Sequence, residues 1–245
     1  MNLKYLFLML VSSVCFAQNA DFPSAKVDSI VKNIKLPEIP SFQINILKLG
    51  AKGDSVSDNK KAFDKAMALC KKNNGGTIIV PKGIYKINGP IHLVSNVNLK
   101  LEKGAKIKFS DNPKDYLPMV LTSWEGTMLY NYSPLIYANN CTNIAISGEG
   151  TIDGGGGKTW KTFKAKENEG KNRSRDMNHN NTPLNERKFG EGYFLRPQMI
   201  QFLNCKNILV ENIRIDNSLF WCLHHLKSES ITIQGISYKS LNHNN

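Results

Sequence analysis

The acidic side chains are the first place to look for chemistry, because general acid–base catalysis needs carboxyl groups held in a defined arrangement. The Asp and Glu residues of this sequence are scattered, and no two Asp residues are adjacent. Asp153 precedes a glycine in the stretch TIDGGG, which is typical of a turn. Asp216 stands beside Asn217 at a predicted strand end, and Glu229 opens a repeat where a solvated position is usual. The sequence therefore predicts structural roles for these three carboxylates.

The basic residues indicate an anionic partner. The formal net charge is +12, which suits nucleic acid, a membrane surface or an acidic polysaccharide. A polar insertion, residues 154–193, carries seven Lys or Arg against two Glu between Lys158 and Arg175, with Trp160 and Phe163 interleaved. One interpretation is a loop that grips an anionic sugar chain, and the other is a loop whose charges are only solvated.

The N-terminal stretch MNLKYLFLMLVSSVCFAQ predicts export. It has a lysine near its start, an apolar run from Tyr5 to Val14, and a small residue at Ala17 where a signal peptidase can cut. The run is shorter than the roughly 20 apolar residues that span a bilayer, and no other segment is apolar enough to do so. We expect a signal peptide over residues 1–17, a leader over residues 18–40, and a secreted or periplasmic protein. Export argues against nucleic acid and favours the polysaccharide.

The folded domain is expected over residues 41–245, beginning with a strand and a short helix. Ile44 and Ile46 alternate as in a strand, and Ser57 or Asp58 can cap the helix that follows. The helix is indicated by apolar residues on one face, at Ala62, Phe63, Ala66, Met67 and Cys70. TIIVPKGIYKI then predicts a strand, a turn and a second strand.

The cysteines indicate neither a metal site nor a dense disulfide scaffold. They are widely spaced and include no Cys-x-x-Cys pair. We interpret Cys70, Cys141, Cys205 and Cys222 as buried thiols, and we expect no cofactor.

Beyond residue 90 a repeat replaces the helical pattern. Four segments begin with Asn or Ser, at Asn96, Asn143, Asn207 and Ser230, and continue with apolar residues at alternate positions, a bend and another short apolar strand. The last two are 23 residues apart (207 to 230), a length that fits one coil of a parallel β-helix. The Asn residues are expected to adopt the left-handed conformation and to stack as a ladder.

In this arrangement the inward residues of one coil stack on those of the next. We expect Ile208, Val210, Ile213 and Ile215 to lie on Ile231, Ile233, Ile236 and Tyr238, with Ile208, Val210, Ile231 and Ile233 all buried. An antiparallel sandwich is the competing architecture.

Three phrases together resemble glycoside hydrolase family 28, the polygalacturonase family: ILKLGAKGDSVSDNKKAF with GGTIIVPKGIY, ISGEGTIDGGGGKTW, and LRPQMIQFLNCKNILVENIRIDNSLFWCLHHLKSESITI. The resemblance covers about Ile44 to Asn245. It implies an all-β, right-handed parallel β-helix with a short N-terminal capping helix. It further implies a secreted, monomeric, metal-free enzyme that hydrolyses O-glycosyl bonds in pectin or polygalacturonate with inversion.

The family's catalytic elements are missing from this sequence. They comprise an Asn-x-Asp element, an adjacent Asp pair, a Gly-His-Gly turn and an Arg-x-Lys, none of which is found between Ile44 and Asn245. The final Asn244 and Asn245 match the first two positions of Asn-x-Asp. The resemblance therefore implies catalytic residues C-terminal of Asn245, and the chain is interpreted as the N-terminal portion of an enzyme, inactive by itself.

Three residues are candidates for contacting substrate. Trp221 and His224 match a Trp-x-x-His phrase near the family's cleft, which implies that Trp221 stacks on a sugar ring and that His224 donates to a carboxylate. His225 stands where proline is common in the family. Arg196, in LRPQ, is a candidate carboxylate partner because a guanidinium binds carboxylates in bidentate fashion.

Two other functions stay open. A noncatalytic polysaccharide-binding β-helix has the same fold and charge. A polysaccharide lyase shares the fold too, but it usually needs a calcium-binding carboxylate cluster, which the scattered acidic residues disfavour.

Overall fold

Three sheets of parallel strands wind around one hydrophobic core in the computed structural model, which describes residues 24–239. Sheet 1 contains β1 Gln43–Asn45, β3 Gly76–Val80, β6 Val97–Leu101, β11 Thr142–Gly148, β14 Lys206–Glu211 and β17 Glu229–Gln234. Sheet 2 contains β5 Ile91–His92, β10 Ile136–Asn139, β13 Ile200–Leu203 and β16 Leu223–Leu226. Sheet 3 contains β2 Asp54–Asp58, β4 Gly83–Ile87, β7 Ala105–Phe109, β12 Thr151–Asp153, β15 Arg214–Asp216 and β18 Ser237–Lys239. All strand pairs within these sheets are parallel, so the predicted β-helix is confirmed and the antiparallel sandwich is wrong.

Each coil passes from sheet 2 to sheet 1 to sheet 3. The bends from sheet 2 to sheet 1 and from sheet 1 to sheet 3 are short, whereas the returns from sheet 3 to sheet 2 include two long segments, residues 110–135 and 154–199. The first holds the antiparallel hairpin β8 Val120–Trp124 and β9 Thr127–Asn131. The helices are α1 Ser24–Lys32, α2 Lys60–Lys72, α3 Lys158–Lys166 and α4 Asn168–His179, with 3-10 turns at Ile46–Leu49, Pro113–Tyr116 and Leu184–Glu186.

The core follows from alternation along each strand, because every second side chain of a strand points to the same face. In sheet 1 one inward column runs through successive coils as Ile78, Leu99, Ile146, Val210 and Ile233. The predicted stacking of Ile208 on Ile231 and of Val210 on Ile233 is confirmed. The predicted burial of all four is wrong: Ile231 is half-buried and Ile233 is 41% exposed. Their strand, β17, has a neighbour on one side only among the described residues.

The predicted asparagine ladder is present at the bend from sheet 2 to sheet 1. Asn96, Asn143, Asn207 and Ser230 all have φ between 52° and 59°. The Asn143 amide donates to Asn96 Oδ1 (2.9 Å), and the Asn207 amide donates to Asn143 Oδ1 (2.7 Å). Asparagine fits this position because it tolerates the left-handed conformation and its amide can both donate and accept.

Asn143→Ala is expected to destabilise the protein by about 2–4 kcal/mol, because it removes two ladder hydrogen bonds and places a Cβ residue without a polar group in the left-handed region. Asn143→Gly keeps the backbone conformation and loses only the hydrogen bonds, so its effect should be smaller. Urea unfolding of both variants measures the difference. Equal losses would show that the backbone conformation contributes nothing at this bend.

Helix α2 packs beside the first strands and confirms the predicted short N-terminal helix. All five predicted apolar residues of α2 are buried, and the helix contacts β3 and β5. Its N-cap residue is Asn59, while Asp58 Oδ1 accepts from the Lys60 N–H at 3.0 Å. Ser57 takes no part in this cap, since its hydroxyl donates to Asp54. Ile46 was predicted to continue strand β1, but it begins a 3-10 turn.

Within the predicted leader, residues 24–32 form α1, a helix that the sequence did not predict, and residues 34–40 form neither helix nor strand. The predicted signal peptide and the final Asn244 and Asn245 lie outside the described residues. In residues 24–239, no helix is both long enough and apolar enough to cross a membrane.

Candidate substrate-binding site

The outer face of sheet 2 carries a column of polar side chains, one from each strand. His92, Tyr137, Gln201 and His224 are register partners in β5, β10, β13 and β16. Their strand neighbours, such as Ile136, Ile200 and Phe202, belong to the interior core, so alternation places the polar residues outside. We call these four residues the outer column.

The β8–β9 hairpin covers part of the outer column. The Tyr137 hydroxyl donates to the carbonyl of Leu121 (2.6 Å), and the Thr122 hydroxyl donates to Gln201 Oε1 (2.7 Å). The Gln198 amide donates to the Ser123 carbonyl. These contacts explain why Thr122, Gln198 and Gln201 are polar yet buried: each has a protein hydrogen-bond partner.

The same network fixes the His224 ring. Because Thr122 donates to Gln201 Oε1, the Gln201 amide nitrogen is left to donate to His224 Nδ1, at 2.9 Å. A neutral ring that accepts at Nδ1 carries its proton on Nε2. Burial, together with the neighbouring His225, lowers the pKa of His224 to about 4. His224 is thus a neutral hydrogen-bond donor through Nε2 at ordinary pH.

Trp221 lies against His224 at the margin of a second hydrophobic cluster. The two rings meet edge to face with centroids 4.7 Å apart. On its other side Trp221 stacks on Phe220 (5.3 Å), which stacks on Trp124 of the hairpin (5.2 Å). Trp221 is half-buried, whereas Phe220 and Trp124 are buried. The predicted pair of Trp221 and His224 is therefore brought together, beside the end of the outer column.

Arg196 has the predicted bidentate geometry, but its partner is internal. Its Nε lies 3.0 Å from Glu167 Oε2 and its Nη2 lies 3.2 Å from Glu167 Oε1. The guanidinium also donates to the Leu219 carbonyl (2.8 Å) and lies over the Phe220 ring. Arg196 is 3% exposed, so the structure corrects its predicted role from a substrate contact to an internal ion pair that joins the insertion to Leu219 and Phe220.

The aromatic residues of the insertion are also corrected. One interpretation of the insertion uses Trp160 and Phe163 to grip a sugar chain, but α3 turns both inward and buries them. Trp160 meets Tyr116 edge-on, and Phe163 meets Phe194 in the same way. The insertion therefore presents Lys and Arg residues to solvent and does not present these two rings.

The three carboxylates considered from the sequence have structural partners. Asp153 accepts from the Gly155 N–H (3.0 Å) and from the Asn217 amide (2.8 Å), which confirms a turn role. Arg214 Nε lies 2.9 Å from Asp216 Oδ1 without hydrogen-bond geometry. Glu229 is exposed and pairs with Lys206 at 2.8 Å.

Sequence reasoning missed Gln201 and Thr122, which orient His224. Gln201 had a usable signal: LIYAN, MIQFL and CLHHL each place a polar or aromatic residue midway between inward residues, and alternation makes all three outward. Thr122 had none, because the hairpin reaches the outer column through a long connection that carries no repeat.

Three stacked sheets with a polar outer face define a right-handed parallel β-helix of the pectate-lyase-like type. The chain belongs to the family described as rhamnogalacturonase A/epimerase, pectate lyase-like, whose model matches residues 43–167. It is similar to a probable polygalacturonase of Vitis vinifera, with 27% identity over 202 residues. It also resembles an exo-poly-alpha-D-galacturonosidase of Dickeya chrysanthemi, with 36% identity over 126 residues. The resemblance to polygalacturonases found in the sequence is thereby confirmed.

A solved structure shows the same relationship. The hyperthermoactive exopolygalacturonase from Thermotoga maritima superposes with a TM-score of 0.84 at 39% identity and matches 89% of this chain. The matched regions cover 79% of this chain for the Vitis protein and 48% for the Dickeya protein. The chain spans 36% of the Vitis protein, 20% of the Dickeya protein and 51% of the Thermotoga chain.

Proposed function

We propose that the protein takes part in the hydrolysis of O-glycosyl bonds in pectic polysaccharide, and that its described coils bind the galacturonate chain at the outer face of sheet 2. The polygalacturonase and exopolygalacturonase relatives support the reaction and the substrate class. A formal charge of +12 supports an anionic ligand. The N-terminal apolar run supports export to where such polysaccharides occur.

The observation that carries the proposal is the fixed orientation of His224. Gln201 occupies Nδ1, so the Nε2 proton is free to donate to a sugar carboxylate or hydroxyl. The half-buried Trp221 ring beside it provides an apolar surface on which a sugar ring can stack. With a pKa of about 4, the His224 ring stays neutral across roughly pH 5 to 8, so its hydrogen bond should not titrate in that range.

The acid and base of the reaction are not assigned to described residues. Inverting hydrolysis needs two carboxyl groups about 6.5–9.5 Å apart, one to protonate the leaving oxygen and one to activate water. Asp153, Asp216 and Glu229 each hold a basic or turn-forming partner instead. We therefore propose that these coils bind substrate. We expect no reducing ends to be released by residues 18–245 alone.

His224→Ala should weaken binding of trigalacturonate about 10- to 100-fold, the range for losing a hydrogen bond to a charged group. Titration calorimetry measures it, with His179→Ala as the control, since His179 is exposed at the end of α4 and should change nothing. Binding should also fade as salt rises through about 0.1 M, where exposed charges are screened. Unchanged affinity in His224→Ala would show that the outer column is not part of the binding site.

The engagement of all three carboxylates also favours a second function, noncatalytic binding of the polysaccharide. Assays of hydrolysis separate the two. Saturable release of reducing ends that is lost in Asp216→Ala or Glu229→Ala would show that these residues are catalytic after all. An unsaturated product, detected by its ultraviolet absorbance, would instead indicate a lyase.

A further inference from the structure

Two thiols occupy equivalent positions on successive coils, just after β10 and β13. Cys141 Sγ lies 3.3 Å from the Asn139 carbonyl, and Cys205 Sγ lies 3.2 Å from the Leu203 carbonyl. Asn139 and Leu203 are register partners, and the Lys206 N–H donates to the Cys141 carbonyl. Adjacent strands lie about 4.7–4.9 Å apart, which is within the Cα–Cα range of about 4.4–6.8 Å that a disulfide requires.

We propose that Cys141 and Cys205 form an oxidisable thiol pair that can cross-link the coils bearing Tyr137 and Gln201. Both cysteines are free in the structure, and the register of the two coils places them side by side. The cross-link would join the coils before and after the insertion, so it would fix the spacing of two members of the outer column.

An oxidant can reach the pair from one side. A surface depression of about 340 Å³ is lined by Lys71, Asn74, Ser95 and Cys141, among others, whereas Cys205 is more deeply buried. The contact with Cys205 lowers the pKa of Cys141, while the same contact and burial raise the pKa of Cys205. Cys141 is therefore the attacking thiol.

The reaction is a thiol–disulfide exchange with a small disulfide such as oxidised glutathione. The Cys141 thiolate attacks the oxidant, forms a mixed disulfide and releases one glutathione thiolate. Cys205 then gives its proton to solvent, attacks the Cys141 sulfur and releases the second glutathione. Two protein thiols are oxidised, and one oxidant disulfide is reduced to two thiols.

The test is peptide mass spectrometry of the full chain after incubation with oxidised glutathione, acid quenching and alkylation in denaturant. We expect a linked peptide pair containing Cys141 and Cys205 that lacks two hydrogen atoms, with Cys70 and Cys222 alkylated. The thermal midpoint of the oxidised protein should rise relative to the reduced protein. Full alkylation of both Cys141 and Cys205, or glutathione retained on Cys141 without a linked peptide, would overturn the proposal.

The chain offers matched variants. Ser228 is the register equivalent of Cys205 in the next coil, where its hydroxyl accepts from the Cys205 backbone N–H. Serine therefore fits this column, and Cys205→Ser should fold normally while losing the linked peptide and the shift in thermal midpoint. Cys222→Ser should retain both. A thermal shift on oxidation that persists in Cys205→Ser would show that the stabilisation has another origin.

Discussion

Replacing Glu167 by Gln is expected to destabilise the protein by about 3–5 kcal/mol, because it leaves the Arg196 guanidinium buried without its counter-charge. The side chains are only 4% (Arg196) and 12% (Glu167) exposed, so water cannot substitute for the missing carboxylate. Urea unfolding measures the loss.

A double replacement tests whether the contributions of Arg196 and Glu167 to stability depend on each other. Arg196→Met with Glu167→Gln removes both charges, so we expect it to be less destabilised than Arg196→Met or Glu167→Gln alone. Additive losses would show that the two side chains do not depend on each other. A loss near that of an exposed pair, below about 1 kcal/mol, would show that solvent reaches the site.

Trp160→Ala is expected to cost about 3–5 kcal/mol, the usual range for removing a large buried aromatic side chain. Trp160 is 1% exposed and meets both Tyr116 and Phe163 edge to face, so its removal opens a cavity between α3 and the coils. Thermal and urea unfolding measure the effect.

The neighbouring residue supplies the control for this variant. Lys161 is exposed on the same helix, and Lys161→Ala should change stability by no more than about 0.5 kcal/mol. Similar losses for Trp160→Ala and Lys161→Ala would mean that the helix is weakened in general, and that the aromatic contacts are not responsible.

The solenoid was predictable because its signals are local and repeated. Each coil restates the same alternation and the same left-handed Asn, so Asn143 and Asn207 could be aligned without knowledge of the structure. The two helices of the insertion were not predictable in this way. α3 is stabilised by Tyr116, which is distant in sequence, so its own composition gives little signal.

The location of the candidate site was predictable from the sequence, but the contacts that orient its side chains were not. The phrase containing Trp221 and His224 was found from the sequence, whereas the partner that orients His224 lies one coil away, at Gln201. The error at Arg196 has the same cause: a guanidinium in a sequence predicts a carboxylate partner, but only packing decides that the partner is Glu167.

The unequal connections between the sheets have a consequence for how such a protein can diversify. Both long segments connect sheet 3 to sheet 2, so the additional chain length lies along one edge of the β-helix, which we call the seam. Doubling a flexible loop adds only about 0.6 kcal/mol of closure entropy, whereas one extra residue inside a strand would turn its inward side chains outward. This seam can therefore be lengthened, shortened or exchanged between relatives while the coils keep their register, and ligand preference can change independently of the scaffold.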